Sequence, residues 1–212
     1  MHLDTMNTAD TNHLRFWQRV AKLYAPFMKS SAPLYSEIAK HSLPYLSSNM
    51  TVLELACGSG QLTFRLASKV RRWEATDFSD RMVAEAQKCA SLPNLTFAVR
   101  DATALPYPDS SFDAVLIANA LHIMPEPEKA LSEIHRVLKP GGLLLAPTFV
   151  WAGNNGNRLR AKLMDLAGFK VLHRWNADTL SEFTEKQGFD VLERKVLPGG
   201  VSPLCCLIAR KI

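Results

Sequence analysis

Three acidic side chains stand at or near the ends of short apolar stretches, where each could bind a hydroxyl or amino group. Glu54 lies inside the apolar run Val52–Leu55. Asp77 ends the stretch Trp73–Asp77, and Asp101 closely follows a third apolar run. An ionised carboxylate accepts strong, charge-assisted hydrogen bonds. If the fold brings these run ends together, the three acids would surround a polar ligand.

A glycine loop follows the first of these runs. Gly58 and Gly60 lie between Val52–Leu55 and a stretch, Gln61–Lys69, that we predict to be a helix. Glycine at a strand–helix junction lets a ligand approach the backbone, and α/β proteins hold nucleoside-like ligands there. Thr63 stands where the dinucleotide fingerprint has its third glycine. No Gly-Lys-Ser/Thr sequence follows the loop, which excludes a P-loop.

The spacing of the acids suits a nucleoside. Asp77 lies 19 residues after Gly58, and a carboxylate there can accept from both hydroxyls of a ribose, in NAD as well as in other nucleosides. Asp101 can accept from the exocyclic amine of adenine while the Ala102 amide donates to a ring nitrogen. Glu54 has two interpretations: it organises the loop and binds an ammonium group through water, or it only caps backbone amides.

Strand and helix patterns alternate through the middle of the chain, which is typical of an α/β, Rossmann-like, doubly wound and mostly parallel sheet. Ser79 is placed to cap a helix, and Lys139-Pro-Gly-Gly142 predicts a turn. Phe189–Leu197 and Leu204–Arg210, joined by Pro198-Gly-Gly200, predict an antiparallel C-terminal hairpin and complete a seven-stranded sheet. The other predicted core elements are Val52–Leu55, Gln61–Lys69, Trp73–Asp77, Asp80–Ala90, Leu95–Val99, Phe112–Ala118, Pro127–Leu138 and Leu143–Pro147.

We predict one domain of three parts: an N-terminal helical lid (residues 1–45), a nucleoside-binding core (46–148), and a substrate-side loop with helices and the terminal hairpin (149–212). The lid contains accessory helices over about residues 11–24 and 32–41. In the third part, Thr148–Arg158 is predicted as a loop, residues 159–167 as a helix, and Thr179-Leu-Ser-Glu182 as a capping box. The aromatic residues of the lid either pack on the core or line a substrate pocket. In the second interpretation, the substrate-binding residues are Trp17, Tyr24, Met28, Phe149 and Trp151.

The length of 212 residues suits one α/β domain, and no apolar run reaches the roughly 18 residues that span a bilayer. The first ten residues lack an apolar secretory core. The four cysteines show neither metal-ligand spacing nor a disulfide framework. We therefore expect a cytoplasmic protein with reduced thiols, no membrane span and no metal. The net charge of +5 arises from interspersed acids and bases, so no nucleic-acid partner is expected.

Five short motifs occur in order between residues 51 and 148: Val52-Leu-Glu-Leu-Ala-Cys-Gly-Ser-Gly60, Asp77-Phe-Ser-Asp-Arg-Met82, Asp101-Ala102, Asn119-Ala-Leu-His-Ile-Met-Pro125 and Leu138-Lys-Pro-Gly-Gly142. Their order resembles that of the class I S-adenosylmethionine-dependent methyltransferases. The pattern is nearest to the small-molecule branch that includes ubiquinone and menaquinone C-methyltransferases. Ala56 departs from the glycine that many relatives have, and we expect only a slight change in the loop.

This resemblance implies transfer of the sulfonium methyl group of S-adenosylmethionine to a small hydrophobic or aromatic acceptor by in-line displacement, without a metal or a covalent intermediate. His122 is the candidate catalytic base, because it follows the fourth strand and its usual pKa suits proton removal near neutral pH. The alternative is that His122 only shapes its loop. The residues implied in cofactor binding are Glu54, Ala56, Cys57, Gly58, Gly60, Asp77, Phe78, Met82, Asp101, Ala102 and Asn119.

Two other functions remain open at this point. One is a protein that binds S-adenosylmethionine without turnover, and the other is a nicotinamide-dependent oxidoreductase, which Thr63 disfavours. Cys57 could be read as a nucleophile, but no base is placed to activate it, so its small size explains it better. Met82 either packs beside the adenine or ribose or is a core methionine. The sequence leaves the oligomeric state open.

Overall fold

The computed structural model describes residues 18, 19, 21, 31–151, 171–199 and 202–212. Of the predicted helix over residues 11–24, Gln18, Arg19 and Ala21 are described, and all three are helical. The predicted helix over residues 159–167 lies outside the described residues. So do three of the predicted substrate-binding residues, Trp17, Tyr24 and Met28.

Eight strands among the described residues form one sheet: β1 (Thr51–Leu55), β2 (Arg72–Asp77), β3 (Leu95–Val99), β4 (Phe112–Ile117), β5 (Leu138–Leu145), β6 (Thr148–Phe149), β7 (Phe189–Leu197) and β8 (Leu204–Lys211). The hydrogen-bonded order is β3-β2-β1-β4-β5-β8, and β8 also pairs with β6 and β7. β1 to β5 are parallel, whereas β8 is antiparallel to each of its neighbours. The predicted parallel core and antiparallel hairpin are confirmed.

The eighth strand is β6, which we predicted to be part of a loop. Thr148 and Phe149 pair with Cys205 and Leu204 of β8. Flanking bonds extend this contact, since the Ala146 amide donates to the Leu207 carbonyl at 2.8 Å. The chain therefore continues along β8 after β5 ends, a long-range pairing that local sequence does not reveal.

Five α-helices of the described residues connect these strands: α1 (Ala32–Ser42), α2 (Thr63–Leu66), α3 (Asp80–Gln87), α4 (Pro127–Val137) and α5 (Ala177–Glu185). α2 is shorter than predicted and continues as a 3-10 turn, Ala67–Lys69. A second 3-10 turn, Leu121–Ile123, follows β4. Ser79 caps α3 as predicted, because its side chain accepts a hydrogen bond from the Met82 amide. Within the described residues, no helix has the length and apolar character needed to cross a bilayer.

The central strands of the sheet are buried on both faces, as expected of a doubly wound fold. In β4, Ala114 and Leu116 face one apolar cluster, while Val115 and Ile117 face another. α1 and α2 pack into the first cluster, and α4 and α5 pack into the second. A strand covered on both sides holds its position firmly, so the loops at its end begin from fixed points.

The predicted turn at Lys139–Gly142 is wrong, because this segment belongs to β5. Phe112 pairs with Leu138, but Ala114 pairs with Leu143, so the ladder is irregular between these positions. The extra residues form a bulge in which Gly141 has a φ of 71°.

The predicted capping box at Thr179 and Glu182 is also wrong. The N-cap of α5 is Asn176, whose side chain accepts from the Thr179 amide, while Thr179 accepts from the Asn176 amide. The box is thus shifted by three residues toward the N-terminus. Asn is as good an N-cap as Thr, so the sequence held two overlapping signals.

Candidate active site

The parallel strands bring their carboxyl ends to one edge of the sheet. β1 lies between β2 and β4. α2, which follows β1, packs on one face of the sheet, and α4, which follows β4, packs on the other. A crevice opens at such a switch point, where α/β proteins bind ligands. The glycine loop after β1, the acid that ends β2 and the loop after β4 all reach this edge.

The glycine loop turns sharply through three residues in the left-handed region. Ala56 has a φ of 54°, Gly58 of 54° and Gly60 of 85°. A Cβ atom on Gly60 would lie 2.3 Å from the Phe64 ring, so this position needs glycine for space as well as for conformation. The Cys57 amide donates to the Thr76 carbonyl at 2.9 Å, which folds the loop back across β2.

A cavity opens beside this loop, and it gathers the predicted cofactor-binding residues from all the motifs. Gly60 is the exception, because it shapes the turn without lining the cavity. The predicted residues in the wall are Glu54, Ala56, Cys57, Gly58, Asp77, Phe78, Met82, Asp101, Ala102 and Asn119.

Asp77 ties the glycine loop to the start of α3. Its Oδ2 accepts from the Gly58 amide at 2.9 Å, and its Oδ1 accepts from the Ser79 amide at 2.9 Å. Burial raises the pKa of Asp77 to about 6, although these amide bonds oppose the rise. Each oxygen has a second lone pair, so the carboxylate can still accept from ligand hydroxyls.

Glu54 is buried at the base of the cavity, with an exposed fraction of 2%. Its Oε2 accepts from Thr63 Oγ1 at 2.6 Å and from Trp73 Nε1 at 2.8 Å. Burial raises the pKa of Glu54 to about 7, and these two hydrogen bonds limit the rise. Both donors among the described residues are side chains, not the loop amides that we expected Glu54 to organise or cap.

Asp101 closes a tight turn beyond β3. Its Oδ1 accepts from the Thr103 amide at 2.8 Å and from the Thr103 hydroxyl at 2.7 Å. The turn holds the Ala102 backbone against the cavity. The side chain of Arg100, which also lines the cavity, donates to the Val99 carbonyl and to the Tyr107 hydroxyl.

Asn119 is held in a constrained conformation at the end of β4. Its φ is 52°, and its amide donates to the Pro147 carbonyl at 2.8 Å. Its side-chain Nδ2 and Oδ1 are both buried and have no partner among the described residues. A buried amide without partners is costly. A side chain of this kind in a cavity wall is suited to receive a polar ligand.

His122 does not lie in the cavity wall formed by the described residues. It is 2% exposed and packs edge-to-face on Phe149, with ring centroids 6.1 Å apart. Burial, with a smaller effect of His173, lowers the pKa of His122 to about 4. The carbonyl of His122 accepts from the Leu172 and His173 amides at 3.0 Å, which anchors the later segment to this turn.

The two described residues that we predicted to bind substrate also lie outside the wall. Phe149 pairs with Leu204 in the sheet and contacts His122. The guanidinium of Arg174 lies over the Trp151 ring, with its Cζ atom 5.2 Å from the ring centroid. The described residues therefore bring the cofactor-binding set together but not the predicted substrate-binding set.

Several cavity residues were missed by sequence reasoning. Three of them lie inside the motif Asn119–Pro125, and most of the others lie within two residues of a motif, so considering every residue in and beside each motif would have found them. Tyr35 of α1 is different, because it belongs to the aromatic residues of the lid, for which the sequence left open core packing or a substrate pocket, and we did not choose it as a substrate-binding residue. The missed polar or aromatic residues and their apolar neighbours are Tyr35, Gln61, Leu62, Arg100, Thr103, Ile123, Met124, Pro125 and Glu126.

The chain is similar to known methyltransferases in sequence and fold. A family model described as a methyltransferase domain matches residues 53–146. The chain is 40% identical over 173 residues to a demethylmenaquinone methyltransferase of Clavibacter sepedonicus, covering 72% of this chain and 71% of the relative. It is 34% identical over 129 residues to the ubiquinone/menaquinone biosynthesis C-methyltransferase UbiE of a Ruegeria species, covering 58% of this chain and 50% of the relative.

Solved structures share the same fold. A chain from the Haloferax volcanii complex of the Trm112 methyltransferase activator superposes with a TM-score of 0.75 at 22% identity, covering 92% of this chain and 96% of that chain. The chain spans about half the length of several curated relatives, including the Ruegeria protein.

A glycine loop and three carboxylates at the switch point of this sheet define a nucleoside-binding methyltransferase fold. The chain belongs to the class I S-adenosylmethionine-dependent methyltransferase family and resembles its ubiquinone/menaquinone C-methyltransferase members.

The left-handed conformation of Ala56 gives a direct test of the loop geometry. An L-residue in this region costs about 1–2 kcal/mol, while glycine costs roughly 0.4–1 kcal/mol through the unfolded chain. We expect Ala56→Gly to stabilise the protein by a net amount of about 0.5–1 kcal/mol, measured by urea unfolding. Ala84→Gly, at an exposed position inside α3, is the control and should destabilise it by about 1 kcal/mol. Equal destabilisation by both changes would contradict the assigned loop conformation.

Proposed function

We propose that the protein transfers a methyl group from S-adenosylmethionine to a small hydrophobic or aromatic acceptor. The observation that carries this proposal is the cavity at the carboxyl edge of β1, β2 and β4. It combines a backbone-exposing loop, three separated carboxylates (Glu54, Asp77, Asp101) and the buried, unpartnered amide of Asn119.

The residues of the cavity fit the groups of this cofactor. Glu54 and the glycine loop suit its amino-acid end, which carries an ammonium group. Asp77 has lone pairs for the ribose hydroxyls, and Asp101 with the Ala102 amide suits the adenine edge. Met82, only 1% exposed in the cavity wall, offers an apolar contact to the nucleoside.

The charge of the cavity supports a cationic ligand. Four carboxyl groups reach its wall, from Glu54, Asp77, Asp101 and Glu126, against the single guanidinium of Arg100 among the described residues. Glu126 forms an ion pair with Lys129 at 2.6 Å, whereas the other three form none among the described residues. Arg100 is engaged with Val99 and Tyr107. An excess of negative charge favours a ligand with a sulfonium and an ammonium group.

When bound, S-adenosylmethionine supplies an activated methyl group: the acceptor atom bonds to the methyl carbon, the carbon–sulfur bond breaks toward sulfur, and an acceptor proton passes to a base or to water. The chain contributes orientation and exclusion of water. Buried Tyr35, Leu62 and Ile123 and partly buried Met124 form an apolar part of the wall. Asn119 offers both a donor and an acceptor beside them.

The apolar residues of the cavity wall indicate the class of methyl acceptor. Tyr35, Ile123, Met124 and Pro125 are apolar or aromatic, so they favour a ring or alkyl group over a polymeric polar substrate. Two relatives are named for ubiquinone or menaquinone biosynthesis and for demethylmenaquinone. Hydroxylated aromatic rings of the quinol type are therefore the first acceptors to test, with phenols, thiols and lipid-like amines beside them.

Ligand binding distinguishes this proposal from its two alternatives. Calorimetry should show binding of S-adenosylmethionine and S-adenosylhomocysteine but not of NAD, and a methyl-release assay should show turnover with at least one aromatic acceptor. Binding of NAD alone would contradict the proposal and favour an oxidoreductase. Binding of S-adenosylmethionine with no turnover across the acceptor panel would favour a binding protein.

Asp77 should be required for cofactor affinity. Asp77→Ala removes charged hydrogen bonds worth about 1.5–3 kcal/mol, so we expect the Kd for S-adenosylhomocysteine to rise roughly 10- to 150-fold. Asp190→Ala is the matched control, because Asp190 is exposed on β7 and lies outside the cavity wall. Calorimetry at a temperature where both variants are folded measures the effect. An unchanged Kd in Asp77→Ala would remove the ribose assignment.

His122 stays a proposed catalytic residue, with a loop-shaping role as the alternative. If His122 acts as a base, His122→Ala should lower kcat more than it weakens cofactor binding. With a pKa of about 4, His122 is neutral at every pH above about 5, so kcat should not follow its titration between pH 6 and pH 8. Parallel measurement of kcat and of the cofactor Kd in His122→Ala decides between the roles. A larger loss of cofactor affinity than of kcat would assign His122 to the support of the loop.

A further inference from the structure

The carboxylate of Glu54 accepts hydrogen bonds from two side chains that belong to different secondary-structure elements. Thr63 is the first residue of α2, and Trp73 lies in β2. Their donors meet on the same oxygen, Oε2, at 2.6 Å and 2.8 Å. Glu54 also lines the cavity, so the two hydrogen bonds fix the orientation of a carboxylate that a ligand can reach.

We propose that Thr63 and Trp73 are positioning residues that keep the Glu54 carboxylate ionised and oriented to bind the ammonium group of the ligand. The inference rests on the proposed function, since that function supplies a ligand with an ammonium group. It assigns a role to Thr63, which stands where a dinucleotide-binding loop has glycine.

Burial makes these hydrogen bonds mutually dependent. Thr63 and Trp73 are both fully buried, with exposed fractions of 0%. A buried hydroxyl and a buried indole N–H each need an acceptor, and Glu54 provides it for both. Conversely, a buried carboxylate needs donors to stay charged. Each of the three groups therefore satisfies a need of the others.

The surroundings of Glu54 would otherwise favour its protonated form. Burial is the main cause that raises the pKa of Glu54, and negative Asp77, at the end of β2, adds a smaller rise. Cys57, in the loop, is a protonated thiol because burial raises its pKa well above the usual value. No ion pair to Glu54 occurs within the described ranges. The two neutral donors are thus the interactions of the described chain that oppose protonation.

The sign of the pH dependence follows from this arrangement. An ammonium group prefers the ionised carboxylate, so affinity should fall as the pH drops through the titration of Glu54, near pH 7. Asp77 titrates near pH 6 and adds a second fall at lower pH. Removal of one donor raises the pKa of Glu54. The loss of affinity caused by Glu54 protonation then begins at a higher pH, while the loss caused by Asp77 protonation stays at the same pH.

The first measurement needs no ligand. In protein labelled with ¹³C at the glutamate side-chain carboxyl, the Glu54 signal is assigned by its loss in Glu54→Gln and titrated by NMR. We expect Thr63→Val, which keeps the shape but removes the hydroxyl, to raise the midpoint by about one pH unit, equivalent to the loss of one such hydrogen bond. Thr63→Ser, which keeps the hydroxyl, should leave it near the original value. Trp73→Phe removes the other donor and should also raise the midpoint.

The second measurement is the Kd of S-adenosylhomocysteine between pH 6 and pH 8.5, because the ammonium is its only cationic group. Near pH 7, a rise of one unit in the Glu54 pKa lowers the ionised fraction from about one half to about one tenth, so Thr63→Val should weaken binding roughly fivefold there. The loss should be much smaller at pH 8.5, and Thr63→Ser should bind as the original protein does. A purely structural role would weaken binding by the same factor at every pH and would overturn the proposal. Unchanged carboxyl midpoints in Thr63→Val and Trp73→Phe would overturn it as well.

Failure of the two proposals can be told apart. If the original protein binds neither S-adenosylmethionine nor its product, the proposed function fails, while the NMR titration still decides whether Thr63 and Trp73 hold Glu54 ionised. If the protein binds the ligand but the variants titrate as the original does, only the positioning role fails.

Discussion

The parallel pairing of β1 with β2 and β4 is the constraint on which the site depends. It places the glycine loop next to the acid that ends β2, and one hydrogen bond, from the Gly58 amide to Asp77, joins them. A second bond, from Cys57 to Thr76, lays the loop across the strand end. Because both neighbours of β1 are buried on two faces, the loop has little freedom to move away from Asp77.

The cavity is electrostatically incomplete by itself. Burial disfavours the charges of Glu54 and Asp77 and raises the pKa of each. Neutral donors limit this effect, but no cation of the described residues neutralises the two carboxylates. Keeping two buried carboxylates charged without a cation costs free energy, and a cationic ligand removes part of that cost when it binds. Part of the ligand's affinity therefore comes from the burial of these acids in the free protein.

Local patterns in the sequence predicted the parts that depend on neighbouring residues. The hairpin of β7 and β8 followed from two apolar stretches around Pro198-Gly199, and the Ser79 cap followed from one side chain before a helix. The acids at strand ends were found because parallel strands share an edge. This is why the cavity wall contains nearly the whole predicted cofactor-binding set.

The parts that failed depend on contacts between distant residues. β6 forms because Thr148 and Phe149 pair with β8. The hydrogen bond from Trp73 to Glu54 requires the pairing of β1 with β2. The burial of His122 also depends on distant residues, since Phe149 and the segment around His173 lie against it. Its catalytic role stays a prediction, because the sequence shows its place after β4 but not the side on which its ring packs.

Backbone strain is concentrated at the switch point of the sheet. The described residues include three non-glycine positions with positive φ, and two of them, Ala56 and Asn119, line the cavity at the ends of the paired strands β1 and β4. The third, Ser110, lies in the turn before β4. Asparagine tolerates the left-handed region better than alanine does, and at position 119 it also brings a buried amide to the ligand space.

These two positions explain why strain persists there. A relaxed backbone at position 56 or 119 would carry the chain away from the crevice instead of turning it along the edge. The loop amides and the Asn119 side chain would then no longer face a common space. β1 and β4 are paired and almost entirely buried. Their stability holds both residues in place and so offsets the strain of the loops that face the ligand.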